Sequence, residues 1–504
     1  MLGGCCCFDG RSSDEGSDLD PVLLVSGMGG SILQTKKKSF GLQTRVWVRL
    51  LLADLEFRQK LWSLYNPETG YTESLDDSTE IVVPEDDYGL YAIDILDPSV
   101  FVKLIHLAEV YHFHDMIDML IGCGYKKGTT LFGYGYDFRQ SIRIDKLMDG
   151  LKEKLEVAYK ASGGRKVNII SHSMGGLLVM SFMSLNNDVF SKYVNKWICI
   201  ACPFQGSLAL CYNSVDHSLS WISDLIHMKG ALLLALIKDL ISSQFLIECP
   251  SVYEMLPNPE FQWKKQPEIQ VWQKQTKDGD IFVNLESYGP MENVALFEEA
   301  LRHNELTYDG KKVALPFNLS ILKWATGTRQ ILNKAQLPTG ISFYNIFGTS
   351  CDTPFDVCYG SETSAIEDLS EVCHTMPQYS YVDGDGTVPA ESAKNFCSKS
   401  DSLRPVAGSP RQTCPVTGDP RWPSPVSDIP TATLLVVDSC EFQYISSVYG
   451  ADGFDAVERV AVSGSHRGLL RDKKVFQLIQ NWLGVGDKAS NHKKTSKVMD
   501  AGSR

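Results

Sequence analysis

The sequence predicts an α/β protein built on a mostly parallel central sheet, and three observations lead to this prediction. Residues 115–203 alternate helical and strand-like patterns, which is the rhythm of parallel strands joined by helices. An apolar run at 167–170 leads through a serine-bearing turn into a helix-like stretch at 177–180. A second apolar run, at 21–25, ends in a glycine-rich loop. We therefore expect buried strands with functional turns at their ends.

The remaining elements are predicted in chain order around this sheet. Residues 1–19 and 487–504 are polar tails that we expect to be disordered, and residues 20–486 contain the core. Within the core range we predict an excursion at 36–90, a helix at 146–161, strands at 166–170 and 197–202, a cap at 204–340, a strand at 342–347, a disordered insert at 394–452, a strand at 460–462 and a final amphipathic helix.

The turn after residue 170 has the pattern of a nucleophile elbow, with the sequence SHSMGG at 171–176. Small residues two before and two after Ser173 let the strand and the helix approach closely, and they let the turn adopt a strained backbone. The usual pattern has glycine at the first of these positions, where this chain has Ser171, and Gly175 fills the second. The elbow would expose the Ser173 hydroxyl, and the helix N-terminus would offer N–H groups to a developing oxyanion.

Two further glycine-rich loops follow the elbow in the order serine, acid, histidine. The loop at 381–389 carries Asp383 and Asp385, and the loop at 462–468 carries His466. This is the chain order of the catalytic triad in an α/β-hydrolase. On that fold one oxyanion donor is the residue after the nucleophile, and the other lies in a loop after an early strand. The backbone N–H groups of Met174 and Met28 are the corresponding candidates.

These motifs, in this order, resemble the lecithin:cholesterol acyltransferase-like lipases, and most closely their plant phospholipase A1 branch. The resemblance covers most of residues 20–390 and returns at 453–486. The matching segments are 21–33, 45–49, 61–67, 88–94, 134–139, 170–176, 383–389 and 466–470. The resemblance implies an α/β-hydrolase that cleaves or transfers a fatty acyl chain of a glycerophospholipid. It also implies that the acid is the Asp directly before Gly-Thr-Val, which is Asp385, with Asp383 as the competing candidate.

On this resemblance we predict a serine hydrolase that releases a fatty acid from glycerophospholipids, with phosphatidylcholine-type substrates and phospholipase A1 regiochemistry. His466 would take the proton of Ser173, Asp385 would orient the imidazole, and the acyl group would pass to Ser173. Two alternatives stay open. The same triad could pass the acyl group to a lipid alcohol, as in an acyltransferase, or the chain could be a catalytically silent lipid-binding protein. The residues alone do not decide between the sn-1 and sn-2 esters.

The excursion at 36–90 crowds apolar side chains beside arginines, which suits either a membrane-interface segment or a buried helix. The resemblance favours membrane contact, with Trp47 and Trp62 as the contact residues. No apolar run reaches the roughly 18 residues of a transmembrane helix. The net charge of −13 and the pI near 5.3 argue against a nucleic-acid partner.

The sequence predicts neither a metal nor another cofactor. His112 and His114 stand two apart, so on a helix they would face different directions, and we interpret them as part of a solvated helix face. The chain has 14 cysteines, but its start lacks a basic segment followed by an apolar stretch. We therefore expect mostly free thiols in a reducing compartment. The run Cys5-Cys6-Cys7 is either an S-acylated anchor or an ordinary tail.

These observations predict a protein that is not secreted and that binds the cytoplasmic face of a membrane, with the endoplasmic reticulum as the expected site. Two segments depart from the family pattern. Residues 207–244 match poorly after the shared residues 203–206, so acyl-chain preference transfers least well. Residues 394–452 are rich in Ser, Pro, Asp and Arg and lie between Asp385 and His466, where the family has a more direct connection. We expect this stretch to carry little regular structure.

Overall fold

The structure is a computed structural model that describes residues 19–39, 41–47, 60–99, 110–207, 246–277, 280–395 and 456–485. Its strands in chain order are β1 (Val22–Val25), β2 (Leu33–Lys37), β3 (Gln43–Trp47), β4 (Ser63–Tyr65), β5 (Thr72–Ser74), β6 (Thr79–Val82), β7 (Leu131–Tyr134), β8 (Val167–His172), β9 (Val194–Ile200), β10 (Ile269–Lys277), β11 (Asp280–Tyr288), β12 (Glu305–Tyr308), β13 (Lys311–Ala314), β14 (Ser342–Thr349), β15 (Cys351–Tyr359), β16 (Gln378–Gly384) and β17 (Glu458–Ser463).

The helices pack around these strands. They are α1 (His114–Gly122), α2 (Asp145–Ala161), α3 (Met174–Leu185), α4 (Asn187–Tyr193), α5 (Pro250–Glu254), α6 (Asn293–Ala300), α7 (Leu319–Asn333), α8 (Ala390–Lys394) and α9 (Lys473–Leu483). Short 3-10 helices lie at Asp87–Gly89, Leu369–His374 and Gly468–Arg471. In the described part of the chain, no helix is long and apolar enough to cross a membrane.

A six-stranded sheet forms the centre of the molecule, in the order β17-β14-β9-β8-β1-β7. Every neighbouring pair is parallel, so the carboxyl ends of the strands share one edge. All four residues of β1 and all six of β8 are buried, as expected of strands covered on both faces. The predicted mostly parallel central sheet is confirmed, and the loops that carry the candidate residues lie at its carboxyl edge.

The helix predicted at 146–161 is α2, and it covers one face of this sheet. Its buried residues Leu147, Leu151, Leu155 and Ala158 recur every three or four positions, which places them on one stripe. The hydroxyl of Tyr134 in β7 donates to the Leu147 carbonyl oxygen over a distance of 2.8 Å. The strand expected at 166–170 is β8, which continues to residue 172 and so reaches the elbow directly.

Smaller sheets are built from the excursion and the cap. Strands β3-β2-β6 and β4-β5 lie within residues 33–82, so β2 begins before the predicted excursion at 36–90, and β12-β13 lies within the predicted cap. A four-stranded sheet, β11-β10-β15-β16, joins the cap to the segment that leads to Asp385. The predictions for residues 1–18, 48–59, 208–245, 396–455 and 486–504 lie outside the described residues, and these include both tails, the cysteine run and nearly all of the proposed insert.

A buried carboxylate ties the cap to the core. Glu254 in α5 accepts hydrogen bonds from Ser141 Oγ (2.5 Å), from the Ile142 N–H (2.8 Å) and from Thr328 Oγ1 in α7 (2.7 Å). Burial raises the pKa of the Glu254 carboxyl group, and these three donors oppose that rise. A buried carboxylate with three donors fixes the geometry of the elements that supply them, so α5 and α7 are held against the loop that precedes α2.

Candidate active site

Ser173 occupies a strained turn between β8 and α3. Its backbone has φ 57° and ψ −133°, a conformation that residues with a side chain rarely adopt. The Ser173 N–H donates to the Ile200 carbonyl oxygen at 2.8 Å, which fixes the turn against β9. A Cβ atom at Gly175 would lie 2.2 Å from the Ser26 carbonyl oxygen, so only glycine fits where α3 meets the end of β1. This is the geometry of a nucleophile elbow.

Ser171 replaces the glycine that the usual elbow pattern has at this position, and the structure gives it a role. The residue is fully buried, and its hydroxyl oxygen accepts a hydrogen bond from Trp197 Nε1 at 2.8 Å. The Trp197 side chain is also fully buried, so its indole N–H needs an acceptor inside the protein. A glycine at 171 would leave that donor without this partner.

His466 and Asp385 form a hydrogen-bonded pair. His466 Nδ1 lies 2.7 Å from Asp385 Oδ2. A carboxylate can only accept, so Nδ1 carries the proton and Nε2 carries the lone pair that a general base needs. The other carboxylate oxygen, Oδ1, accepts from the backbone N–H groups of Thr387 (3.0 Å) and Val388 (2.7 Å). Asp385 is therefore held on both oxygens, with 1% of its surface exposed.

Asp383, the competing acid candidate, points elsewhere. It is exposed, and its carboxylate accepts the Ser350 N–H at 2.6 Å. Asp383 lies within β16 and pairs with Asp352 of β15. Asp385 lies two residues later, just beyond the end of β16 at Gly384. Asp385 also packs closely against Gly348 of β14, because a Cβ atom added at Gly348 would lie 2.4 Å from the Cβ atom of Asp385. The structure thus brings Asp385, and not Asp383, to His466.

The elbow and the histidine loop are in contact through the residue before the nucleophile. The rings of His172 and His466 have their centroids 4.7 Å apart. Among the described residues no hydrogen bond joins the Ser173 hydroxyl to His466 Nε2. Such bonds are often longer in an enzyme without substrate and shorten in the reacting complex.

The loop after β1 reaches the nucleophile. A Cβ atom at Gly27 would lie 2.7 Å from Ser173 Cβ and 3.3 Å from the backbone nitrogen of Met174. Within the loop the Gly30 N–H donates to the Gly27 carbonyl oxygen at 3.1 Å. Met174 begins α3, so its N–H is one of the helix donors that have no partner within the helix. This arrangement is compatible with an oxyanion hole, whose second donor is predicted to be the N–H of Met28.

Trp47 supports that loop from β3. Its Nε1 donates to the Gly29 carbonyl oxygen at 2.9 Å, and its ring lies 5.5 Å from the ring of Phe138. Trp62 lies instead beside Tyr308 of the β12-β13 hairpin, with ring centroids 6.1 Å apart. Both indoles are half-buried and pack against the main core. Their contact with a membrane stays a prediction, whereas the bond from Trp47 to the loop is a feature of the fold that the sequence pattern did not indicate.

Replacing Trp47 with phenylalanine is expected to lower kcat on a soluble short-chain ester by about tenfold, because the loop that carries the Met28 N–H loses a support and small misplacements are costly. Phenylalanine keeps an aromatic ring, so binding to phosphatidylcholine vesicles should change little. Trp62→Phe is the matched control, since the Trp62 ring contacts the cap and not the loop. Equal kcat values for the two variants, measured by steady-state kinetics, would contradict this role of the indole N–H.

The interpretation of His112 as part of a solvated helix face is wrong. Helix α1 begins at His114, so His112 precedes it, and only 5% of its surface is exposed. His112 packs beneath the loop after β1, where a Cβ atom at Gly30 would lie 2.4 Å from its Nε2. His114 does lie nearer the surface, and its Nδ1 is 2.7 Å from Asp94 Oδ1. In the ranges that the structure describes, no group of three or more His, Cys, Asp or Glu residues is arranged to hold a metal ion.

Comparison with known proteins gives consistent similarities. The family model described as lecithin:cholesterol acyltransferase matches residues 47–412, a range that includes Ser173 and Asp385 and ends before His466. Phospholipase A(1) LCAT3 of Arabidopsis thaliana is 56% identical over 99% of this chain and 99% of its own. Lecithin-cholesterol acyltransferase-like 4 of the same plant is 41% identical over 93% of this chain and 76% of its own. The lysosomal phospholipase A and acyltransferase of Homo sapiens is 27% identical over 37% of this chain and 47% of its own.

Proposed function

The chain belongs to the lecithin:cholesterol acyltransferase family, and from that premise we propose that it is a phospholipase A1. Its substrate class is the glycerophospholipids, with phosphatidylcholine as the expected type. The relative that is 56% identical over nearly the whole chain is named a phospholipase A(1), which supports both the substrate class and the regiochemistry. The products are a free fatty acid and a lysophospholipid.

The observation that carries the chemistry is the 2.7 Å hydrogen bond between His466 Nδ1 and Asp385 Oδ2. It leaves the lone pair of Nε2 available as a base, in a loop that contacts the strand carrying the nucleophile. A serine hydroxyl is a weak nucleophile at neutral pH and needs such a base. The strained turn at Ser173 places that hydroxyl at the N-terminus of α3, where negative charge is favoured.

Acylation follows from these positions. As Ser173 Oγ attacks the ester carbonyl carbon, His466 Nε2 takes the hydroxyl proton, and Asp385 stabilises the resulting imidazolium without taking a proton itself. The N–H groups of Met28 and Met174 bind the oxyanion, and one such donor contributes about 3 kcal/mol. His466 then gives its proton to the leaving glycerol oxygen, and a lysophospholipid departs from the acyl-enzyme.

Deacylation decides between a hydrolase and a transferase. Water activated by His466 releases the fatty acid, whereas a lipid alcohol in the same position would receive the acyl group. The second outcome is favoured by one observation, the similarity to a lysosomal protein named for both activities. A catalytically silent lipid-binding protein is the remaining alternative, and the hydrogen-bonded acid and base beside Ser173 argue against it.

We further propose that the enzyme acts at a membrane surface, because its substrates reside in bilayers. Trp47 and Trp62 are the proposed contact residues, and each buried aromatic ring would contribute about 2 kcal/mol of apolar transfer. The cytoplasmic face of the endoplasmic reticulum is the proposed location. The 14 cysteines, which we expect to be mostly free thiols, support a location in a reducing compartment.

Vesicles of a phosphatidylcholine with palmitoyl at sn-1 and oleoyl at sn-2 test the proposed activity. We expect palmitic acid and an oleoyl lysophosphatidylcholine, both lost in the Ser173→Ala variant. Free oleic acid as the main product would contradict the A1 regiochemistry. Transfer of palmitate to an added lipid alcohol, in place of its release, would indicate an acyltransferase. Binding of vesicles without any turnover would indicate the silent protein.

A further inference from the structure

Three histidine rings lie in contact behind the nucleophile, and the proposed mechanism uses one of them. The ring of His172 is 4.7 Å from that of His466 and 5.5 Å from that of His112, measured between centroids. His172 and His112 are 2% and 5% exposed. Buried imidazoles are costly unless their nitrogen atoms find partners, so both residues need a physical explanation.

The two buried histidines differ in one contact. His172 Nε2 lies 3.0 Å from the carbonyl oxygen of His466. A carbonyl oxygen only accepts, so Nε2 of His172 carries the proton and donates it. Within the described residues, His172 Nδ1 and both nitrogens of His112 make no hydrogen bond. The hydrogen bond to the His466 carbonyl is therefore what distinguishes His172 from its equally buried neighbour.

This contact completes the support of the His466 backbone. The His466 N–H donates to the Asp385 carbonyl oxygen at 2.8 Å. Two residues earlier in the same loop, the Gly464 N–H donates to the Thr349 carbonyl oxygen at 3.2 Å. The acid loop thus holds the amide side of His466, and His172 holds its carbonyl side. His172 is the last residue of β8 and directly precedes Ser173. The base is therefore anchored to both of its partners through its own peptide groups.

His172 is also suited to this position because it stays uncharged. Burial lowers its pKa well below the ordinary value, and the neighbouring His466, His112 and Arg467 lower it further, while the hydrogen bond to the His466 carbonyl oxygen opposes this shift only in part. His466 becomes an imidazolium ion during turnover. A second positive charge 4.7 Å away would oppose that step, whereas a neutral imidazole can donate its N–H without this penalty.

We propose that His172 is a positioning residue for the reaction: its Nε2–H group binds the His466 carbonyl oxygen and sets the distance between the His466 imidazole and Ser173. The inference rests on the proposed function and adds a residue to it. The substitution His172→Phe keeps a planar ring of similar size and removes the donor. His172→Gln and His172→Asn form the matched pair, since both place an amide at position 172 and only the longer glutamine brings its nitrogen near the position of Nε2.

We expect His172→Phe to lower kcat on a soluble short-chain ester by about tenfold to a hundredfold, with KM unchanged, since a misplaced base costs rate and not binding. The rate at which a fluorophosphonate probe modifies Ser173 should fall by the same factor. His172→Gln, whose amide nitrogen stands near the position of Nε2, should restore most of the rate. His172→Asn, whose shorter amide falls short of the carbonyl oxygen, should stay about as slow as His172→Phe in both measurements.

Equal rates for His172→Gln and His172→Phe would overturn the inference, because a donor at position 172 would then make no difference. Should His172→Phe fail to fold, the comparison of His172→Gln with His172→Asn replaces it. The shorter amide of asparagine falls short of the carbonyl oxygen, so Asn is expected to be the slower variant, and equal rates for the two would again overturn the inference. Activity that survives Ser173→Ala in the same assay would instead contradict the proposed function itself.

Discussion

Replacing Ser173 with alanine is expected to lower kcat for phosphatidylcholine hydrolysis by about 10⁴-fold or more, the usual consequence of removing a triad member. The substitution removes only the hydroxyl oxygen. It keeps the Cβ atom that packs against Gly27, and the Ser173 N–H still donates to the Ile200 carbonyl oxygen. Fatty-acid release measured by mass spectrometry should therefore disappear while the thermal unfolding midpoint stays near that of the wild-type chain.

Ser181 provides a matched control for this prediction. It lies on the same helix, α3, is fully buried, and its hydroxyl has no hydrogen-bond partner among the described residues. Ser181→Ala removes a hydroxyl from the same helix without touching the candidate site, so full activity is expected. A Ser173→Ala chain that still releases fatty acid at a rate similar to that of Ser181→Ala would show that Ser173 is not the nucleophile.

The second large effect is expected for the acid. Asp385→Asn should lower kcat by about 10⁴-fold, because the amide would force the wrong tautomer on His466. Asp385 Oδ1 accepts two backbone N–H groups, so the oxygen of an asparagine would stay there and its NH2 group would face His466 Nδ1. Nδ1 would then have to accept, which moves the imidazole proton to Nε2 and removes the base.

Asp383→Asn is the control for the acid, since the two residues stand two apart in one segment and undergo the same chemical change. Among the described residues the Asp383 carboxylate accepts one hydrogen bond, from the Ser350 N–H, and an asparagine oxygen can also accept it. Activity close to that of the wild-type chain is expected. The opposite ranking of the two variants in steady-state kinetics would assign the acid to Asp383.

Local sequence signals were sufficient for the central elements. Strands β1 and β8 are near-continuous apolar runs because the sheet buries both of their faces, and α2 shows the stripe of a helix packed on one side. The nucleophile elbow could be predicted from the sequence because its strand, its small residues and its helix follow one another within a single short segment. Such signals depend on neighbours in the chain, so they can be read without knowing the fold.

The choice between Asp383 and Asp385 could not be made from the residues alone. Both lie in one glycine-rich segment with similar neighbours, and only the extent of β16 separates them. Because the ladder with β15 still includes Asp383, that side chain is committed to the strand, while Asp385 lies just past the end of β16 and can turn toward His466. The family resemblance favoured Asp385, and the hydrogen bond places it beside the histidine.

The supporting residues were missed for a different reason. The bond from His172 joins residues that are 294 positions apart, and the bond from Trp47 joins residues 18 apart on different strands and loops. No periodic pattern indicates such contacts. His112 was misassigned because the prediction placed it on a helix, whereas α1 begins two residues later, at His114. Helix boundaries are the least certain part of a sequence-based prediction.

The most direct test of the account is to identify the covalent intermediate. During the first turnover on phosphatidylcholine with palmitoyl at sn-1 and oleoyl at sn-2, the reaction is quenched with acid and the proteolytic peptides are weighed by mass spectrometry. We predict a palmitoyl group on the peptide that contains Ser173, and its absence in the Ser173→Ala chain. An oleoyl group on that peptide would contradict the A1 assignment, and an acyl group on any other residue would contradict Ser173 as the nucleophile.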